Sequence, residues 1–299
     1  MTLLDDERYQ QLLQTRAEHP ERIEELAAKR SRREVLEGDG RLVVIAMDHP
    51  ARRIVSVGAN PQAMADRRRV LENTMRALRR PGVDGLLASP DILEDLLLLE
   101  ELDDKVLFGS MNRGGLTASS WELDDRFTAY DAATIERLGL AGGKMLVRIL
   151  DDDPATIDTI ESCAHAVTDL ADRKLLALVE PLPAYRDEEG RVRISDDPEA
   201  FAAAVGVASS LGATSAYTWL KLPAPTDPIR MMAATTMPTL LLGGDPGTGS
   251  GDLFDRWREA MQLPHVRGLV AGRSLLFPAD GDVERATDAA VALVHGGPT

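Results

Sequence analysis

A chain of 299 residues with a net charge of -15 is long enough to bury a large core without staples. Its acidity argues against nucleic acid or an anionic membrane surface as a general partner, since both need a basic footprint. A single cysteine, Cys163, excludes a disulfide framework within the chain, and Met1-Thr2-Leu3-Leu4-Asp5-Asp6-Glu7 lacks the basic start and apolar run of a signal peptide, so a soluble cytoplasmic protein is expected.

Residues 1–40 are polar and helix-forming, with leucines at roughly helical spacing. They are expected to form one or two helices ahead of the main domain, covering its floor or a partner subunit of a homo-oligomer. The turn at Gly38-Asp39-Gly40 marks a boundary, and residues 41–299 then alternate short apolar runs with longer amphipathic ones. The predicted strands are Leu42–Met47, Gly85–Pro90, Val106–Ser110, Lys144–Ile149, Leu175–Pro181, Ala216–Pro223, Thr239–Gly244 and Val266–Arg273. Helical patterns over 61–80, 91–102, 130–139, 154–172, 198–211 and 282–295 lie between or after them, and an acidic loop is expected after the fifth strand. Eight apolar runs without strict alternation imply parallel strands buried on both faces, and that count predicts a (β/α)8 TIM barrel with an N-terminal helical extension. A doubly wound open sheet is the alternative, but no Gly-x-Gly-x-x-Gly follows the first strand.

In such a barrel, function gathers at the carboxyl ends of the strands. The charged residues placed there are Asp48 after the first strand, Lys144 and Arg148 along the fourth, Glu180 on the fifth and Lys221 on the sixth. Residues two apart on a strand share a face, which groups Lys144 with Leu146 and Arg148, and Lys221 with Trp219 and Tyr217. The chain uses 29 arginines and only five lysines, so a lysine inside a strand suggests work that an always-charged guanidinium cannot do, such as attack on a carbonyl. For each residue alone there is a bland reading: Asp48 caps a turn, Lys144 enters a strand from solvent, Glu180 pairs with a helix, Lys221 snorkels outward. As a set at one end of successive strands they predict amine catalysis. Lys221 must be uncharged to attack a ketone, and bringing a lysine from about 10.4 toward 7 takes about 4 kcal/mol, which desolvation and a second cation such as Lys144 can supply. Glu180 is the candidate proton shuttle, and Asp48 would orient or deprotonate a substrate hydroxyl.

The turn Gly243-Gly244-Asp245-Pro246-Gly247-Thr248-Gly249-Ser250-Gly251 after the seventh strand and Gly272-Arg273-Ser274 after the eighth offer backbone N–H groups and a guanidinium at the two loops where barrels frequently bind phosphate. A phosphate site facing a lysine implies a phosphorylated sugar or sugar acid. Glycines that merely let the loop turn are the alternative.

The ordered set Met47-Asp48-His49, Gly82-Val83-Asp84-Gly85-Leu86-Leu87-Ala88-Ser89-Pro90, Lys144, Glu180, Trp219-Leu220-Lys221-Leu222-Pro223, Leu242-Gly243-Gly244 and Ala271-Gly272-Arg273 resembles the class I aldolases of the archaeal-type fructose-bisphosphate, tagatose-bisphosphate and deoxyribose-phosphate group over residues 41 to 280. The resemblance implies a Schiff base on Lys221, proton transfer assisted by Glu180 and Lys144, substrate binding by Asp48, and phosphate binding at the loops carrying Gly243, Gly244, Gly272 and Arg273. His49 and Arg148, by their place at the strand ends, are further substrate- or phosphate-binding candidates. More narrowly, the chain is similar to actinobacterial aldolase-like barrels found with inositol degradation, which implies cleavage of 2-deoxy-5-keto-gluconate 6-phosphate to dihydroxyacetone phosphate and malonate semialdehyde. It departs from the related aldolases in His49-Pro50, where glutamine and arginine are usual, and in its N-terminal helical segment.

Neither a metal nor another cofactor is expected, because of the histidines His19, His49, His165, His265 and His295 only His49 falls at a strand end. A lysine-base isomerase or dehydratase would turn over without a borohydride-trappable adduct. A non-catalytic sugar-phosphate sensor on the same scaffold would bind its ligand and leave Lys221→Ala nothing to abolish.

Overall fold

The computed structural model describes residues 2–224, 228–244 and 250–296. The long apolar runs become β1 (Leu42–Met47), β2 (Gly85–Ala88), β3 (Val106–Ser110), β4 (Gly142–Ile149), β5 (Leu176–Arg186), β7 (Thr218–Pro223), β8 (Thr239–Leu242) and β9 (Val266–Ala271), with a short β6 (Val192–Ile194) between β5 and β7. Neighbours pair in the order β4-β3-β2-β1-β9-β8-β7-β5, and a β4–β5 ladder closes the ring. All eight ring pairings are parallel. The fold is therefore a closed (β/α)8 barrel, as the strand count predicts.

Its helices are α1 (Asp6–Glu18), α2 (Arg22–Lys29), α3 (Arg67–Leu78), α4 (Pro90–Leu98), α5 (Ala132–Arg137), α6 (Ala155–Asp172), α7 (Pro198–Ser209), α8 (Pro228–Met232), α9 (Ser250–Ala260), α10 (Arg273–Leu276) and α11 (Val283–His295). Several start where an aspartate side chain accepts from a first-turn N–H: Asp5, Asp66, Asp131, Asp197 and Asp282 cap α1, α3, α5, α7 and α11. Such caps satisfy amides that a helix cannot pair internally. Among the described residues, no helix is long and apolar enough to cross a membrane.

Two apolar layers follow from strand geometry. Residues pointing inward, including Leu42, Val44, Leu87, Phe108, Leu178, Trp219, Leu240 and Val270, fill the barrel, while the alternate residues join the helices in a larger outer core. The interior is thus packed below the level of the strands' carboxyl ends. Val35 packs against that interior cluster, and Arg33 donates to Asp84 Oδ1 at 2.6 Å while Val43 N donates to Asp84 Oδ2 at 2.7 Å. Residues 30–40 therefore close the floor. The helices α1 and α2 pack beside α4 instead, where Arg16 Nε donates to Asp95 and Arg8 Nη2 to the Leu99 carbonyl and Glu101.

The segment after Pro181 differs from the expected loop. Hydrogen bonding continues through Pro181 and Pro183, which stand opposite Val147 and Ile149, and β5 then turns back into β6 with Ala184 opposite Ile194 and Arg186 opposite Val192. Proline removes a donor but leaves its carbonyl free. Ser195 N uses that of Pro183 at 2.8 Å.

Candidate active site

The stagger of the barrel explains how residues at unlike positions along their strands reach one level. The first three residues of β4 pair with the last three of β3, so Lys144 stands opposite Ser110 at that strand's carboxyl end. Glu180 stands opposite Leu146, two residues beyond Lys144. Lys221 follows Leu220, which is level with Val179, the residue before Glu180. Alternation keeps Lys221 above Trp219 and Glu180 above Leu178, with both lower residues inside the barrel. Tyr217 lies just ahead of β7 and is half-buried.

Four charged side chains are brought together in this way. Lys221 Nζ donates to Glu180 Oε1 at 2.9 Å, Lys144 Nζ lies 2.5 Å from Glu180 Oε2 and 3.5 Å from Asp48 Oδ2. Relative exposures of 2% for Asp48 and Lys144, 5% for Lys221 and 7% for Glu180 mean that these charges have exchanged water for one another. Burial alone would push the Glu180 carboxyl up, but Lys144 and Lys221 together outweigh it and hold it at about 2. For Lys144 the balance goes the other way: burial and Arg113 outweigh Glu180 and Asp48, bringing the amine down to about 8. Asp48 is held well below the usual carboxylate range, because Arg113, Lys144 and Lys221 overcome the effect of its burial.

All ten residues singled out in the sequence, Asp48, His49, Lys144, Arg148, Glu180, Lys221, Gly243, Gly244, Gly272 and Arg273, line one cavity of about 500 Å³ at the carboxyl ends of the strands. Gly243, Gly244, Gly272 and Arg273 form one side of it, next to Lys221. Residues 245–249 of the expected glycine-rich phosphate loop lie outside the described residues. A side chain at Gly272 would put its β-carbon 2.2 Å from the Ala46 carbonyl oxygen, so β1 and the β9 turn touch there only because residue 272 is glycine. Arg148 is differently placed from a simple anion binder. Its Nε and Nη2 grip Asp125 at 2.8 and 2.9 Å, and Nη2 also donates to the Glu122 carbonyl. Its charge fastens the β3–α5 loop over the cavity.

That loop carries residues that the sequence reading left out. Arg113 reaches Asp48 through Nη2 and Ser110 Oγ through Nε at 2.6 Å, and Ser110 Oγ donates to Asp48 Oδ2 at 3.1 Å. Asn112 replaces a missing strand neighbour: its Nδ2 donates to the Leu146 carbonyl at 2.6 Å and its Oδ1 accepts from Leu146 N at 2.7 Å. Arg52, buried after β1, donates to the Gly115 carbonyl at 3.0 Å and lies 3.6 Å from Asp125. Ser110, Asn112 and Arg113 directly follow or end a strand, which was the available signal. Cys163 is buried behind β4, where burial raises its thiol to about 12. Among the described residues no group of three or more His, Cys, Asp or Glu side chains is arranged to hold a metal ion.

A profile of the Cgl0159-like family matches residues 40–291. The chain belongs to the Cgl0159-like family. The crystal structure of Cgl0159 from Corynebacterium glutamicum (Brevibacterium flavum) is 44% identical over 99% of each chain, with a TM-score of 0.96. The fold is shared more distantly with an archaeal fructose 1,6-bisphosphate aldolase, 20% identical over 92% of this chain and 100% of that one, TM-score 0.63. A Schiff-base-forming fructose-1,6-bisphosphate aldolase is similar at 21% identity over 91% and 99% of the two chains, TM-score 0.63. No curated protein sequence matches this member of the Cgl0159-like family.

Proposed function

We propose that this chain is a class I aldolase that makes or breaks a carbon–carbon bond of a phosphorylated ketose or keto-sugar acid through a Schiff base on Lys221. The observation that carries the reading is the bridge formed by Glu180 between Lys221 and Lys144, 2.9 and 2.5 Å long, inside a cavity whose adjoining wall is Gly243, Gly244, Gly272 and Arg273. The barrel it shares with Schiff-base-forming aldolases is compatible with that chemistry.

In this reading the Lys221 amine attacks the substrate ketone and forms a carbinolamine. Lys144, held near 8, can release and regain a proton close to neutral pH, so it passes a proton through Glu180 Oε2, 2.5 Å away, to the departing hydroxyl, which leaves as water. The protonated imine then draws electrons from the adjoining carbon–carbon bond. As that bond breaks, the hydroxyl of the departing fragment gives its proton to Glu180 and becomes an aldehyde, leaving an enamine on Lys221. Protonation of the enamine and hydrolysis of the imine release the ketone product. Asp48 orients the substrate, and the β8 and β9 turns hold its phosphate.

The finer proposal follows the sequence resemblance: the substrate is 2-deoxy-5-keto-gluconate 6-phosphate, split to dihydroxyacetone phosphate and malonate semialdehyde in inositol breakdown. The test is product release from a panel of phosphorylated ketoses and keto-sugar acids. Equimolar dihydroxyacetone phosphate and aldehyde from at least one of them, abolished in Lys221→Met, supports the proposal. Isomerised or dehydrated product without cleavage contradicts it.

A further inference from the structure

The cavity wall at the end of β1 holds a polar pair that the steps above use only in part. Every contact that Asp48 receives from Ser110 (3.1 Å), Arg113 and Lys144 (3.5 Å) falls on Oδ2. Oδ1 instead faces His49 Nδ1 across 3.9 Å, too far for a direct hydrogen bond. His49 Nδ1 is itself buried and has no hydrogen-bond partner among the described residues, a costly state for a polar atom.

The main chain that carries the ring is held. His49 opens the 3-10 turn at Pro50–Arg52, and its carbonyl accepts from Arg52 N and Ile54 N at 3.0 and 3.3 Å. A β-carbon on Gly272 would lie 2.9 Å from His49 Cε1, so the glycine leaves the ring its seat. Burial, reinforced by Arg273, Lys221 and Arg113 against the pull of Asp48, brings the imidazole down to about 3. A neutral ring has one N–H, and the carboxylate beside Nδ1 favours the tautomer that carries it there.

We propose that Asp48 Oδ1 and His49 Nδ1 form a hydroxyl-recognition subsite, in which one substrate hydroxyl donates to the carboxylate and accepts from the imidazole. A single oxygen about 2.8 Å from each atom spans the gap from a position off their axis. The chemistry selects against other groups. An anionic oxygen is repelled by Asp48, an ammonium has nothing to accept the imidazole proton, and a methyl leaves both atoms unpaired. Lys221, His49 and Arg273 line the one cavity, and a β-carbon on Gly272, next to Arg273, would stand 2.9 Å from His49 Cε1, so the subsite lies near the imine end and the phosphate end together. The hydroxyl it takes is therefore the one on the carbon next to the imine carbon, in the ketone fragment and not in the departing aldehyde.

This inference rests on the reading of the cavity as a ketose-phosphate site, and the test separates the two. Dihydroxyacetone phosphate and acetol phosphate differ only in that hydroxyl, and each can be titrated calorimetrically into the whole chain. Wild type is expected to bind dihydroxyacetone phosphate at least about tenfold more tightly. His49→Phe, which keeps a ring but no nitrogen, should reduce the preference to about threefold or less, and His49→Gln, which returns an N–H donor, should recover part of it. Equal binding of both probes by wild type overturns the subsite, as does an undiminished preference in a His49→Phe protein whose circular dichroism is native. If wild type binds neither probe, the ketose-phosphate reading fails and the subsite falls with it.

Discussion

Glutamine in place of Glu180 removes the one carboxylate that, among the described residues, contacts both Lys144 and Lys221. The structure sets the size of the effect in two ways. Holding the Glu180 carboxyl at about 2 against an ordinary 4.5 leaves about 3 kcal/mol net in favour of its charged form, once Lys144 and Lys221 have offset its burial. Breaking a buried ion pair by removing one partner costs about 3–5 kcal/mol, so the two agree in scale. A chain of this length loses about 0.6 kcal/mol per degree near its melting point. Glu180→Gln should therefore melt about 5–8 °C lower at pH 7. Lys144 limits the loss at higher pH, because without Glu180 it loses its proton below the wild-type value of about 8; the difference in Tm should shrink between pH 7 and 9. The amide also cannot take part in proton transfer, which is worth about 10²–10⁴ in rate. Formation of the borohydride-trapped adduct with dihydroxyacetone phosphate, followed by intact mass, should slow by about a hundredfold or more. A Tm within about 2 °C of wild type together with an adduct rate within about threefold would refute the reasoning about Glu180.

Three further outcomes are expected. Asp125→Asn releases Arg148 and loosens the β3–α5 loop that delivers Arg113 to Asp48; tryptic cleavage after Arg113 or Arg126 should accelerate about tenfold or more, and an unchanged rate would show that the loop is held by something else. His295 bonds Asp39 at 2.9 Å and Asp84 at 3.0 Å, and its hydrogen bond to Asp84, ahead of the opposing effect of burial, raises its pKa. A raised histidine stabilises fully below its unfolded value of about 6.5 and loses that contribution as pH rises through the folded value. His295→Gln should thus cost about 1 kcal/mol at pH 6, after discounting for solvent, and less at pH 9; a deficit that grows with pH would contradict this. Gly268 has φ +132° and a β-carbon there would stand 1.9 Å from the Leu42 carbonyl oxygen, so Gly268→Ala should destabilise by about 3 kcal/mol or more, measured by urea unfolding, with wild-type stability as the contrary result.

What the sequence made legible has a physical pattern. Strands such as Leu42–Met47 and Val106–Ser110 stood out because strands covered on both faces need unbroken apolar runs. Within such runs Lys144, Glu180 and Lys221 were conspicuous, since a charge there has to be paired or functional. The residues that complete the cluster were hidden by distance. Asp48 and Arg113 are 65 positions apart, and Arg148 and Asp125 are 23 apart, so no local pattern joins them. The loop from Asn112 to Asp125 shows no periodicity, although Asn112 and Asp125 are fully buried. In the sequence Arg148 looks like a strand-end guanidinium available to substrate, whereas in the fold Asp125 already grips it. The β5–β6 hairpin was masked by Pro181, Pro183 and the acidic run Asp187-Glu188-Glu189, all of which resemble the end of a strand more than its continuation.

The proposed chemistry turns on one nitrogen, Lys221 Nζ, and one measurement addresses it directly. The chain is incubated with dihydroxyacetone phosphate, reduced with borohydride, digested and mapped by mass spectrometry. We expect a single stable adduct on the peptide carrying Lys221, absent from Lys221→Met and insensitive to prior dialysis against a chelator. An adduct on Lys144 in its place, or none with a folded, ligand-binding chain, would contradict the assignment of Lys221 as the nucleophile.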